Sequence, residues 1–123
     1  MDSRLQAAAQ AHAADTAARN YYEHNTPEGL DPGDRMQKAG YGFGAWGENI
    51  HQNPKNAAAA MKGWMESSGH RSNILNCAFK DIGVGVDLGS NGPWWVQDFR
   101  RVDLTGAALH PCETRAVGRV RWG

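Results

Sequence analysis

Lys80-Asp81-Ile82-Gly83-Val84-Gly85-Val86-Asp87 and, after a turn, Trp94-Trp95-Val96-Gln97-Asp98-Phe99-Arg100 decide the fold class. Ile82, Val84 and Val86 alternate with Gly83, Gly85 and Asp87, a period of two that belongs to a strand with one apolar face. The opposite face is glycine, which leaves room for another element to lie close against it. Leu88-Gly89-Ser90-Asn91-Gly92-Pro93 is built of turn residues, so the two strands pair as an antiparallel hairpin. Trp94 and Trp95 point to opposite faces, which places at least one in the core. With helical patterns upstream and a hairpin at the end, the order is that of an α+β domain, a small antiparallel sheet flanked by helices.

Working back toward the start, Ala57 to Met65 is the best helix former in the chain, after a cap-plus-proline signal at Asn53-Pro54. Gly63 interrupts it at about 1 kcal/mol relative to alanine, and a close contact is the usual reason. Ser67-Ser68-Gly69 breaks this helix, and Ser68 caps a shorter one through Leu75. Glu66 and His70 therefore straddle a bend. Tyr41 to Gly47 is too rich in glycine for helix and suits an extended segment, after which Glu48 leads into a turn. Asp31-Pro32 starts a short helix to about Ala39, stopped by Gly40. His24 falls at a helix end or in the loop before Pro27. The first helix starts from Ser3, spaced with Gln6 as a capping box, and carries a small-residue stripe of Leu5, Ala8, Ala9, His12, Ala13, Thr16 and Ala17. His12 on that stripe reads as a packed residue rather than a ligand.

The chain has 123 residues with 13 basic and 13 acidic side chains, so it is one domain without an overall field. That balance disfavours nucleic acid or an acidic membrane surface as partner and leaves function to a local site. No apolar run reaches the roughly eighteen residues of a membrane span, and no leader of secretory type opens the chain. Met1-Asp2-Ser3 enters a helix at once, as expected of a chain that lacks N-terminal sequence. Cys77 and Cys112 allow one bridge, closing about 36 residues and stabilising by roughly 3–4 kcal/mol in the chain-entropy model. Alternatively Cys77 is a buried thiol and Cys112 sits in a loose tail.

Two histidines and two glutamates are the candidate chemistry, in Glu23-His24-Asn25, Gly47-Glu48-Asn49-Ile50 and Glu66 to His70. If these stretches converge, the imidazoles can hold a divalent metal and leave a coordination position open to water. Spacing alone is weak evidence. His-Glu-x-x-His is absent, and Glu66 with His70 can be a mere surface ion pair. Ser67 and Ser68 lack the nucleophile elbow, and nothing beside Cys77 lowers its thiol pKa.

Four ordered blocks carry a resemblance: Gly47-Glu48-Asn49-Ile50, Trp64-Met65-Glu66-Ser67-Ser68-Gly69-His70-Arg71-Ser72-Asn73-Ile74-Leu75, Ile82-Gly83-Val84-Gly85-Val86, and Trp94-Trp95-Val96-Gln97-Asp98-Phe99. Together they resemble the bacterial branch of the CAP superfamily, the SCP-like domain of cysteine-rich secretory, antigen 5 and pathogenesis-related proteins. The resemblance runs from about Ser3 to Arg100, which implies a CAP domain over residues 1–102 and a tail, 103–123, outside it. It implies an α-β-α sandwich with a central antiparallel sheet and a large open cleft. It also implies a cleft tetrad at His24, Glu48, Glu66 and His70, with a divalent metal, zinc favoured, on His24 and His70. Similar chains begin with a further segment whose cysteine is the implied partner of Cys77. Family members are mostly secreted, which implies an extracellular or cell-envelope location. The first expectation is a monomeric binding module for a small or lipid-like ligand, with no nucleic acid and no membrane span. The second is a peptidase-like metal-dependent hydrolase using Glu48 or Glu66 as general base. The third is a structural domain rigidified by the tetrad.

Overall fold

A computed structural model describes residues 1–42 and 44–101. The expected tail, 103–123, and Cys112 with it lie outside the described residues; Cys77 is not a free thiol. In chain order the elements are α1 (Ser3–Arg19), α2 (Pro32–Lys38), β1 (Trp46–Gln52), α3 (Ala57–Met65), α4 (Ser68–Leu75), β2 (Asp81–Asp87) and β3 (Trp94–Arg100). The three strands form one antiparallel sheet in the order β1-β3-β2, so the expected hairpin is present and its second strand is central. Helices cover both faces, and the α+β sandwich reading holds.

Glu48 was expected to lead from an extended segment into a turn, but Trp46–Gln52 is a seven-residue strand, paired along its whole length with β3. Its sequence, Trp-Gly-Glu-Asn-Ile-His-Gln, has no apolar alternation, because its polar side chains are satisfied by tertiary partners rather than by water. Two caps also differ from expectation. Asp2, not Ser3, caps α1, its carboxylate accepting from the amides of Arg4 and Leu5. Asn56 caps α3, which starts later than Asn53-Pro54 predicted. Ser67 is the N-cap residue of α4, without a side-chain capping bond.

The glycine face of β2 does receive another element, and that element is α1. Leu5, Ala8, Ala9, His12, Ala13 and Thr16 are its buried residues, and Ala9 and Ala13 pack with Ile50 and Val96 of the sheet. α1 also shields the outer edge of β2. Gln6 Oε1 accepts from the Val84 amide, while Gln10 accepts from the amide of Val86 and donates to its carbonyl. An edge strand covered this way offers little backbone to a second chain. On the other face, Ala60 and Trp64 of α3 pack on Trp95, and Gly63 is the expected close contact, an added Cβ there meeting His51.

Candidate functional site

β1 is an outer strand, and the segments carrying His24 and His70 attach to its opposite faces. Strand alternation puts Glu48 and Ile50 on the face covered by α1, and Asn49 and His51 on the face covered by α3 and α4. α1 ends at Asn20, whose left-handed backbone (φ 55°) turns the chain into the loop carrying His24. His24 Nδ1 lies 2.8 Å from Glu48 Oε1; the imidazole is 48% exposed and the carboxylate fully buried. Arg35 of α2 closes this corner, one Nη2 reaching both the His24 carbonyl (2.7 Å) and Glu48 Oε1 (2.9 Å).

His70 is delivered by an amide network on the other face. Buried Asn49 donates from Nδ2 to the His70 carbonyl (3.1 Å) and to Gln97 Oε1 (3.0 Å). Asn73 in turn donates to Asn49 Oδ1 (2.9 Å) and to the Glu48 carbonyl (3.2 Å). These bonds tie α4 to β1. The His70 pKa lies below the ordinary imidazole value, through burial first and then through His24 and His51 nearby. Burial first, then the Arg35 charge, likewise lowers that of His24. A lowered pKa favours the neutral imidazole, the form that binds metal.

His24 and Glu48 thus meet at the edge strand, and the backbone of His70 is tied to the neighbouring residue, Asn49. Glu66 behaves differently: it caps the end of α3, is 62% exposed, and pairs with Lys62 at 2.5 Å. Among the described residues no group of three or more histidine, cysteine, aspartate or glutamate side chains is arranged to hold a metal ion. A pair of imidazoles is what remains. The sequence reading missed Arg35, Asn49, Asn73 and Asp98. Asn49, Asn73 and Asp98 stood inside the quoted blocks; a lone aspartate between two tryptophans and a phenylalanine in a buried strand was the available signal for the last. Arg35 had none, being one of several charges on a short helix.

The profile of the family described as "CAP: Cysteine-rich secretory protein family" matches residues 1–99. The chain belongs to the CAP family. YkwD, an uncharacterized protein of Bacillus subtilis strain 168, is 38% identical over 99 residues, which is 80% of this CAP chain and 38% of YkwD. YlbC, an uncharacterized membrane protein of the same strain, is 37% identical over 76 residues, 62% of this chain and 22% of its own. This chain therefore spans less than two fifths of either curated relative. An extracellular protein containing an SCP domain from Bacillus anthracis strain Ames superposes with a TM-score of 0.76 at 37% identity, over 82% of this chain and 33% of that one. An outer surface protein from Borrelia burgdorferi gives 0.75 at 19% identity, over 83% and 76%, a likeness of fold alone. Among the described residues of this CAP chain no helix is long and apolar enough to cross a membrane.

Proposed function

We propose that this CAP domain is an exported binding module whose cleft holds a divalent cation, zinc in preference, between His24 and His70. The observation that carries the reading is the 2.8 Å contact of His24 Nδ1 with a buried carboxylate. A carboxylate accepting from one ring nitrogen fixes the tautomer and leaves the other nitrogen, Nε2, as a lone-pair donor. His70 makes no side-chain hydrogen bond among the described residues, which suits a second donor. With two protein ligands, the cation would offer its remaining positions to water or to the oxygens of a small or lipid-like ligand. Export is supported by the extracellular description of the Bacillus anthracis neighbour.

A binding role is preferred to hydrolysis on geometry. A general base must reach the water it deprotonates. Glu48 is enclosed with Oε1 committed to His24 and Arg35, and Glu66 stands in solvent beside Lys62. Calorimetric titration of zinc into the metal-stripped protein is expected to give one site. In the His24→Ala/His70→Ala double variant affinity is expected to fall at least about a hundredfold, about 3 kcal/mol. Equal heats from both proteins would remove the cation reading.

A further inference from the structure

The register of β1 on β3 sets Glu48 directly opposite Asp98. Directly opposed residues share a face and bring their side chains together. Both are enclosed: Asp98 is 0% exposed, as is the Glu48 side chain. Two negative charges so placed would face one nearby cation, Arg35, whose Nη2 already serves Glu48 Oε1. Neither oxygen of Asp98 meets a donor among the described residues, and neither does Glu48 Oε2. Yet the register sets the two side chains against each other on one face of the sheet. One proton between them joins one Asp98 oxygen to Glu48 Oε2, and it leaves one negative charge against one positive. Glu48 Oε1 is held by Arg35 and His24, whereas neither oxygen of Asp98 has a donor among the described residues, so the proton falls to Asp98; burial first, then the Glu48 charge, raise the Asp98 pKa.

We propose that Asp98 is a positioning residue for His24: as a neutral acid it donates to Glu48 Oε2 and so turns Oε1 toward His24 Nδ1. The chain of contacts runs Asp98, Glu48, His24, from the central strand to the loop after α1. Its effect on metal rests on the cation-binding reading above, but its effect on the His24 ring does not. Removing the donor leaves a buried lone pair on Oε2 unanswered and frees the carboxylate to rotate. The imidazole then loses the acceptor that selects its Nδ1–H tautomer.

The test compares Asp98→Asn, whose amide donates as the acid does, with Asp98→Leu, which donates nothing. The readouts are the ¹⁵N shifts of the His24 ring in metal-free protein and the zinc affinity. Wild type and Asp98→Asn are expected to show the Nδ1–H tautomer. Asp98→Leu is expected to show a mixture, with zinc bound about 10- to 100-fold more weakly. An unchanged tautomer in Asp98→Leu, or a loss in Asp98→Asn as large as in Asp98→Leu, would overturn the proposal. Should Asp98→Leu not fold, the ¹³Cγ shift of Asp98 in wild-type protein at pH 7 decides, a carboxylate value overturning the proposal. If wild type binds no zinc while the tautomers behave as stated, the cation reading falls and the positioning role stands.

Discussion

Gly83→Ala is expected to destabilise the domain by about 3 kcal/mol or more, enough to leave a marginal domain largely unfolded. An ideal Cβ on Gly83 would lie 2.1 Å from the Leu5 carbonyl carbon, 2.3 Å from the Gln6 nitrogen and 2.4 Å from the Leu5 oxygen. All three are backbone atoms in the first turn of α1, so no side chain can swing aside. Gly85 is nearly as tight, its Cβ falling 2.5 Å from the Gln10 backbone. Relief requires α1 to lift from β2, which would break the Gln6 bond to Val84 and pull Ala9 and Ala13 from the core. Because α1 leads into the His24 loop, the same shift would separate His24 from Glu48. Urea melts of Gly83→Ala and Gly69→Ala measure this. Gly69, in the first turn of α4, has nothing within 4 Å of its added Cβ, and its alanine variant should gain up to about 1 kcal/mol from helix propensity. A Gly83→Ala protein within about 1 kcal/mol of wild type would show that the helix lies farther from the strand than described.

Acid should destabilise the protein through His12. Its ring is 1% exposed, Nε2 lies 2.9 Å from the Glu23 carbonyl, and Nδ1 has no partner among the described residues. Burial first, then the Arg35 charge, push its pKa down to about 4 from 6.5. The sign follows from proton counting. As pH falls from 6.5 toward 4, the unfolded chain binds a proton on His12 that the folded chain refuses, so the unfolded state gains. The contribution is complete above about pH 6.5 and amounts to roughly 2.5 kcal/mol lost by about pH 4.5. His12→Gln keeps an amide donor for the Glu23 carbonyl and cannot titrate. Subtracting its pH–stability curve from that of wild type isolates the histidine, since the other ionisable groups are common to both. A flat difference curve between about pH 7.5 and 4.5 would refute the assignment.

The site was partly legible for a physical reason visible in single residues. His24, Glu48 and His70 sit in stretches whose composition marks them, and the contact between the first two is seen in three dimensions. Glu66 has the same chemistry on paper, but its place at the end of α3 turns it toward Lys62 and solvent. No spacing rule separates those outcomes, because helix ends differ by a fraction of a turn. Arg35 and Asp98 acquire their roles only from Glu48, which is 13 residues from one and directly across the sheet from the other.

By itself the sequence determined what local periodicity and turn chemistry can determine. The two-residue period fixes the hairpin β2–β3, the small-residue stripe fixes the inner face of α1, and the glycines of β2 mark where that face lands. Tertiary structure alone decided that Trp46 to Gln52 is a strand, since its polar side chains make sense only once β3, α4 and Arg35 surround them. It alone decided, too, that Glu48 and Asp98 share a buried corner. Periodicity is a property of neighbours along the chain, whereas an ion pair or a shared proton belongs to groups that only folding brings together.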